Sequence, residues 1–159
     1  EWQLTTVQLD FNQPENFEMK YIGEDGKEHR PAVIHVAIFG SFERFIGILI
    51  EHYAGAFPFW LAPVQAVILP VSEKFNDYGK DLMEKLQKAG VRMEMDDSNE
   101  TLGKKIRNAE MMKVPYMLVV GEKEVDDQSV AVRDYATKKQ EVMKVEQFLS
   151  LVQVQEMKA

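Results

Sequence analysis

The sequence of 159 residues predicts an α/β protein with a mixed, mostly parallel sheet flanked by helices, preceded by part of an antiparallel sheet. Short, continuous apolar runs at 64–71 and 115–121 are typical of strands covered on both faces. Segments with helical spacing of apolar residues separate these runs, which is the pattern of strands joined through helices. Before Pro58 and Pro63, by contrast, alternating strands follow one another directly.

The first segment is predicted to contain three strands and a helix. Alternation of apolar and polar residues predicts strands at 2–11 and 17–23, with a break between them and a hairpin turn after the second. The apolar stretch 32–40 predicts a strand covered on both faces. Ser41 is a natural N-cap, and three-and-four spacing of apolar residues predicts a buried helix that ends at Gly55. These elements make part of a sheet rather than a whole domain.

Pro58 and Pro63 mark the predicted domain boundary, because proline stops both helices and central strands. The first domain is predicted over 1–57 and the second over 61–159. A turn is predicted at 122–128, within one antiparallel hairpin. The other elements of the second domain are predicted as strands at 64–71, 91–97, 115–121 and 129–136, and as helices at 75–90, 100–113 and 142–157.

The composition is that of a globular protein and excludes several kinds of site. Hydrophobic residues make up 45% of the chain and charged residues 28%, and there is no cysteine to form a disulfide or a thiolate metal site. The net charge is -7, with nine acidic and four basic side chains in residues 1–60. This charge argues against nonspecific nucleic-acid binding through a basic surface, so a nucleic acid would have to be recognised locally. No apolar tract is long enough to span a membrane, so no membrane partner is expected.

Arg44 and His35 stand out because both lie in the most apolar tract of the first segment. From spacing alone, Arg44 would more often pair with a surface acid such as Glu43. A histidine in an apolar strand is more often a hydrogen-bonded core residue than a ligand. His29 and His52 show no metal-ligand spacing.

Five segments carry a resemblance to a known family. They read TVQLDF, GSFERFIGILIEHYAGAFPFWLAPVQ, GKKIR, VPYMLVVGEKE and VAVR, in order and across essentially the whole chain. The strand and helix around Gly-Ser-Phe-Glu-Arg-Phe are similar to the third signature motif of class II aminoacyl-tRNA synthetases. The full set resembles the threonyl-tRNA synthetase family. One such motif would be weak, whereas five in register are a specific signal.

The resemblance implies that the first segment is the end of a class II catalytic domain with its antiparallel sheet. It implies that Arg44 binds ATP, a task that suits a planar and permanently charged group. Ser41, Gln3 and Gln8 are implied to lie near the aminoacyl-adenylate, although Ser41 could also cap its helix and the glutamines could face solvent. His35 is implied to be one of three zinc ligands, and the zinc would bind the amino group and hydroxyl of threonine. The other two ligands are expected upstream, so this chain alone is expected to hold no zinc.

The second segment resembles the anticodon-binding domain shared by the synthetases for threonine, histidine, proline and glycine. The resemblance implies that Asn99, Arg107, Glu124 and Arg133 contact the anticodon, since their donors and acceptors can read base edges. They would read the G and U that threonine tRNAs share at the last two anticodon positions. From the pattern alone, Asn99 would be a helix N-cap and the other three would be surface charges.

The reaction implied for the parent protein is ATP-dependent attachment of threonine to its tRNA, with Mg²⁺ and zinc, in a cytoplasmic homodimer. The chain begins without an initiator Met and lacks the first two class II motifs, so it is expected to be an inactive fragment. One alternative is a separate paralogue that binds tRNA or a protein without aminoacylation, and a weaker one is a domain used only for oligomer assembly. Asp134 and Tyr135 replace the arginine and glycine common in the family after Arg133, which leaves contacts beyond Arg133 open.

Overall fold

The computed structural model describes residues 2–156 and divides into two compact units between residues 52 and 53. The domain limits expected at 57 and 61 stay a prediction. Within the described residues, no helix has both the length and the apolar character needed to cross a membrane.

Residues 2–52 contain two antiparallel strand pairs and two helices. In order they are β1 (Thr6–Asp10), α1 (Asn12–Asn16), β2 (Tyr21–Ile22), β3 (Glu28–His29), β4 (Val33–Ala37) and α2 (Phe42–His52). β1 pairs with β4, and β2 pairs with β3 in the predicted hairpin. Because side chains alternate along a strand, the pairing of Gln8 with His35 places both on the polar face of the β1/β4 pair.

Several predictions for the first unit were wrong. The predicted break after the first strand is the helix α1, because the Asp10 carboxylate accepts hydrogen bonds from the first backbone N–H groups of the turn. The strand expected at 17–23 is reduced to two residues of β2. β4 is not covered on both faces: Ile34 and Val36 are 62% and 59% exposed. α2 ends at residue 52, before Gly55, and has no buried residue, because its apolar side chains are only partly covered in the described chain.

Residues 53–156 form a five-stranded mixed sheet with helices on both faces. The strand order is β6-β5-β7-β8-β9, in which β5, β6 and β7 are parallel to one another and β8 and β9 are antiparallel to their neighbours. The strands are β5 (Ala66–Pro70), β6 (Met93–Met95), β7 (Tyr116–Val120), β8 (Ser129–Asp134) and β9 (Gln140–Lys144). The helices are α3 (Asn76–Lys88), with a 3-10 turn (Glu73–Phe75) before it, α4 (Leu102–Met111), α5 (Glu122–Asp126) and α6 (Val145–Glu156).

Both faces of the central strands are buried, as the continuous apolar runs predict. On one face, α3 and α6 pack on the sheet through Leu86 and Phe148, which contact a cluster that includes Ile68 and Leu118. All four side chains are fully buried. The opposite cluster, on the α4 face, consists of Val67, Leu69, Ala109, Val114, Met117, Val119 and Ala131.

Two predictions for the second unit were wrong. The turn expected at 122–128 contains the short helix α5. The helix expected at 142–157 begins only at Val145, because residues 140–144 form the edge strand β9 on β8. The predicted helix end at 157 lies outside the described residues. With β9 added, the sheet has two parallel and two antiparallel pairings rather than one antiparallel hairpin.

Candidate functional site

The polar face of the β1/β4 pair carries the first group of candidate residues. His35 lies opposite Gln8, and its Nε2 is 3.1 Å from Oδ2 of Asp10. The other carboxylate oxygen of Asp10 accepts hydrogen bonds from the N–H groups of Asn12 (2.8 Å) and Gln13 (3.0 Å). The N–H of Gln13 above all, and then the His35 imidazole, hold the pKa of Asp10 below its usual value. Asp10 therefore stays ionised and orients the imidazole.

This arrangement suits one zinc ligand but does not form a zinc site by itself. A metal-bound histidine commonly uses its second ring nitrogen to hydrogen-bond a carboxylate, as His35 does with Asp10. Across residues 2–156, however, no three His, Asp or Glu side chains lie close enough together to hold a metal ion. His35 would thus need ligands from outside this group.

The start of α2 carries the second group. Ser41 caps the helix, because its Oγ accepts a hydrogen bond from the N–H of Arg44 at 3.3 Å. The Arg44 side chain is exposed, and its Nη1 donates to the carbonyl oxygen of Gln3 at 3.4 Å. Gln3 Nε2 in turn donates to Oγ1 of Thr6 at 3.3 Å. Arg44 therefore hydrogen-bonds to Gln3, which precedes β1, whereas His35 hydrogen-bonds to Asp10, the last residue of β1. Among the described contacts none links Arg44 directly to His35.

In the second unit, Asn99 lies in the loop 96–100 between β6 and α4. Thr101 is the N-cap residue of α4, so the interpretation of Asn99 as the cap was wrong. Asn99 lines a pocket of about 380 Å³ beside the residues that follow β5. The loop thus holds the Asn99 amide at the carboxyl edge of the parallel strands, where ligands of α/β sheets commonly bind.

Arg133 and Arg107 lie on the α4 side of the sheet. Arg107 is exposed, and Arg133 donates through Nη2 to Glu110 at 3.0 Å. Nε of Arg133 is buried and, within the described part of the chain, has no hydrogen-bond partner. The Arg133 hydrogen bond is the main reason that the pKa of Glu110 is lowered. Glu110, which the sequence reading missed, therefore fixes the direction of the Arg133 guanidinium from a position three residues after Arg107.

Glu124 has a structural role that the predicted turn did not suggest. Its Oε2 accepts a hydrogen bond from the N–H of Gly121 at 3.0 Å, which satisfies the backbone donor of the N-cap residue at the start of α5. Burial first, and the Glu124 carboxylate second, raise the pKa of Tyr78. Glu124 thus lies at the carboxyl end of β7, apart from Arg133. No hydrogen bond or ion pair among the described residues joins any two of the four anticodon candidates.

Asp134 and Tyr135 both contact the segment that leads to β9. Lys138 Nζ lies 3.9 Å from the centre of the Tyr135 ring and 3.6 Å from Oε1 of Glu110. Asp134 accepts a hydrogen bond from the N–H of Thr137 at 2.7 Å, within the turn that leads to β9. Lys138 therefore brings a second positive charge to the Glu110 carboxylate, beside Arg133.

Lys105 is the second residue that the sequence reading missed. It is only 3% exposed, and its ammonium donates to two backbone carbonyls. The sequence does indicate that Lys105 is buried, because Leu102 and Ala109 lie three residues before and four residues after it on the apolar face of α4. A charged residue on such a face requires a polar partner inside the fold.

Comparison with known proteins finds two family models along the chain. Residues 65–155 match the anticodon binding domain, and residues 1–53 match the class II tRNA synthetase core domain of the G, H, P, S and T type. The first match covers the sheet and helices of the second unit. The second covers the β1/β4 pair and α2.

The relatives found by sequence include a threonine-tRNA ligase from Carboxydothermus hydrogenoformans, 59% identical over 83% of this chain and 21% of the relative. Another is a threonine-tRNA ligase from Chloroherpeton thalassium, 53% identical over 96% of this chain and 23% of the relative. The chain thus spans less than a quarter of the length of either. A crystal structure described as the RNA binding domain of threonyl-tRNA synthetase from Cryptosporidium parvum matches 97% of this chain and 39% of its own, with a TM-score of 0.81 and 38% identity.

Proposed function

We propose that this chain, which belongs to the anticodon-binding-domain family, reads the anticodon and supplies the third catalytic motif of a threonine-tRNA ligase. The observation that carries the proposal is the family match over residues 65–155. The names of the relatives support threonine as the amino acid. The reaction of the whole enzyme would be ATP-dependent attachment of threonine to its tRNA, in the cytoplasm, where tRNA is charged for protein synthesis.

Local recognition of bases, rather than a field of positive charge, would bind the tRNA. The chain has a net charge of -7, so binding through many phosphates would be weak. The exposed guanidinium of Arg107, the guanidinium of Arg133 held by Glu110 and the amide of Asn99 offer donors suited to base edges. Glu124 would accept from a base through the oxygen that Gly121 does not use. Because these residues are spread along the sheet, they suit bases splayed out from a loop.

The first unit would contribute to binding of ATP and threonine. Arg44 is exposed at the start of a capped helix, and its planar, permanently charged group can lie against adenine and reach phosphate oxygens. Ser41, Gln3 and Gln8 would line the same region near the aminoacyl-adenylate. His35, oriented by Asp10, would supply one ligand to a zinc ion that selects threonine by its amino group and hydroxyl. Magnesium with ATP, and a second copy of the whole enzyme, complete the proposal.

Titration with the anticodon stem-loop of a threonine tRNA tests the proposal directly. We expect saturable binding that weakens at least tenfold when the G and U at the last two anticodon positions are exchanged, since one mismatched base contact costs about 1–3 kcal/mol. Asn99→Ala combined with Arg133→Ala should lose the same discrimination. Asn108→Ala is the matched control, because Asn108 is an exposed asparagine on α4 outside the candidate set. Equal affinity for the two stem-loops would refute base reading.

Threonine-dependent pyrophosphate exchange separates the enzyme proposal from the paralogue alternative. We expect the isolated 159 residues to be inactive and to bind no stoichiometric zinc. A longer protein containing them should catalyse the exchange and lose it on Arg44→Ala. If the longer protein binds the stem-loop but never catalyses the exchange, the chain belongs to a binding paralogue.

A further inference from the structure

Lys105 is a buried lysine at the carboxyl edge of the parallel strands. Its side chain lies on the inner face of α4 and is 3% exposed. Nζ donates to the carbonyl oxygen of Pro70, the last residue of β5, at 3.2 Å. It also donates to the carbonyl oxygen of Asp96, just after β6, at 2.9 Å. One ammonium therefore ties together the ends of two neighbouring strands.

Such a lysine needs a specific reason to be there. Removing an ammonium from water is costly unless hydrogen bonds replace its hydration. At Lys105 the two carbonyl oxygens provide that replacement and leave one of the three N–H donors over. A methionine would fill the same space at α4 without the desolvation cost. The hydrogen bonds, rather than the filling of space, are thus the contribution that Lys105 makes.

The bond to Asp96 acts on the loop that carries Asn99. Asp96 begins the loop 96–100, and its Oδ1 accepts hydrogen bonds from the backbone N–H of Ser98 at 3.1 Å and from the Ser98 hydroxyl. Lys105 therefore holds the base of the loop, and the Asp96 carboxylate holds its centre. Lys105 and Asn99 also line the same pocket of about 380 Å³. The path from the buried ammonium to the Asn99 amide is only three residues of chain.

We propose that Lys105 is a positioning residue for Asn99: it holds the loop 96–100 in the conformation that reads the anticodon. The inference rests on the proposed function, because it assumes that Asn99 contacts a base. Lys105 contributes to affinity and base discrimination without contacting the tRNA. Loss of its two hydrogen bonds leaves the N–H of Asp96, which donates to the carbonyl oxygen of Ile68 at 2.9 Å, to hold the base of the loop. The loosened loop must then be ordered again at each binding event.

The test is binding of the threonine anticodon stem-loop to the full 159-residue chain and its variants. Lys105→Met should weaken binding about tenfold, close to the effect of Asn99→Ala. The free energy needed to order the loosened loop on binding would offset most of the binding free energy of the Asn99 contact. Lys88→Met is the matched control. Lys88 is exposed and pairs with Glu84 at 2.7 Å within α3, so its replacement removes the same charge without removing a contact of the loop. Its effect should stay below about twofold.

A double-mutant cycle distinguishes positioning from general loss of stability. In the Asn99→Ala background, Lys105→Met should cost less than about twofold more, because the contact that it positions is already gone. If the two substitutions weaken binding independently, so that their fold-losses of affinity multiply, the inference is overturned. The salt dependence of binding should match that of the wild type. A shallower salt dependence, by about one counterion, would reveal a direct phosphate contact and would also overturn it.

A second variant keeps the inference testable if Lys105→Met does not fold. Asp96→Ala removes the two hydrogen bonds that Ser98 donates, and it therefore loosens the same loop without changing the buried Lys105. It should weaken binding about threefold, and only when Asn99 is present. Wild-type affinity in a folded Lys105→Met variant refutes the positioning role alone. Wild-type affinity in a folded Asp96→Ala variant refutes the premise of that role, which is that binding needs the loop to be held. A wild-type chain that does not distinguish the G and U exchange refutes the proposed function instead.

Discussion

Replacing Gln65 with methionine tests how the second unit holds the segment that precedes its first strand. The Gln65 side chain is fully buried, and its Nε2 donates to the carbonyl oxygen of Phe59 at 3.0 Å. Its Oε1 accepts from the N–H of Arg92 at 2.9 Å. Methionine has nearly the same shape and makes neither bond. The substitution therefore removes two hydrogen bonds without leaving a cavity.

The expected loss of unfolding free energy depends on which hydrogen bonds the two backbone partners of Gln65 keep. The Phe59 carbonyl still accepts from the N–H of Ala62 at 3.3 Å, so its loss is small. The Arg92 N–H loses its partner, and an unpaired donor away from water costs about 1–3 kcal/mol. Burying a thioether in place of an amide returns roughly 0.5–1 kcal/mol. The free energy of unfolding of the second unit should fall by about 1–2 kcal/mol.

Urea unfolding measures this change when Trp60 is the only tryptophan. The chain has two tryptophans, so a Trp2→Phe background assigns the fluorescence to the second unit. With an m value of about 1–3 kcal/mol/M, the midpoint should fall by about 0.5–1 M. Gln87→Met is the control, since exposed Gln87 makes one long bond of 3.4 Å to the Met93 carbonyl. Midpoint shifts that are equal in the Gln65 and Gln87 variants would refute the reasoning.

Three further changes test other parts of the second unit by the same unfolding measurement. Phe148→Ala should cost about 3–5 kcal/mol, because the ring is fully buried, and a loss below about 1 kcal/mol would contradict its place in the core. The pKa of Glu110 is lowered chiefly by Arg133, so the stability it contributes is present above its unfolded pKa and is lost as the pH falls through the lower folded value. The difference between wild type and Glu110→Gln should therefore be constant near neutral pH and shrink as the pH falls below the unfolded pKa of glutamate, and a difference that grows would refute the pairing. Gly79→Ala gains about 1 kcal/mol of helix propensity, whereas the new Cβ would lie 3.2 Å from Sδ of Met95. Because a methionine side chain can move, we expect a net change within about 0.5 kcal/mol, and a loss above about 2 kcal/mol would show that Met95 is held rigidly.

Elements set by neighbouring residues were predictable from the sequence. The apolar runs at 64–71 and 115–121 are buried strands, since a continuous apolar run needs cover on both faces. Ser41 accepts the hydrogen bond of a helix cap, as its position before α2 predicts. Gly90 adopts a φ of +90° just after α3, where the glycine stop was expected. In each case the deciding contacts lie within a few residues.

Features that depend on distant partners were not predictable in the same way. Residues 140–144 have an ambiguous pattern and become strand β9 only because the edge of β8 is available to pair with them. The exposed face of β4 likewise depends on what packs against the β1/β4 pair, which the residues of the strand do not specify. The four anticodon candidates came from a resemblance, and their arrangement at separate ends of the sheet follows from strand order.

The sequence by itself determined the type of most elements, the net negative charge and the resemblance to the family, because periodicity, charge and motifs are properties of the chain. Only the tertiary structure decided which polar side chains form hydrogen bonds or ion pairs, and with which partners. Glu110 beside Arg133, Asp10 beside His35 and Lys105 beneath its loop are contacts between distant segments. The physical reason is that a hydrogen bond or a buried charge depends on groups that folding brings together, which residue spacing along one segment does not specify.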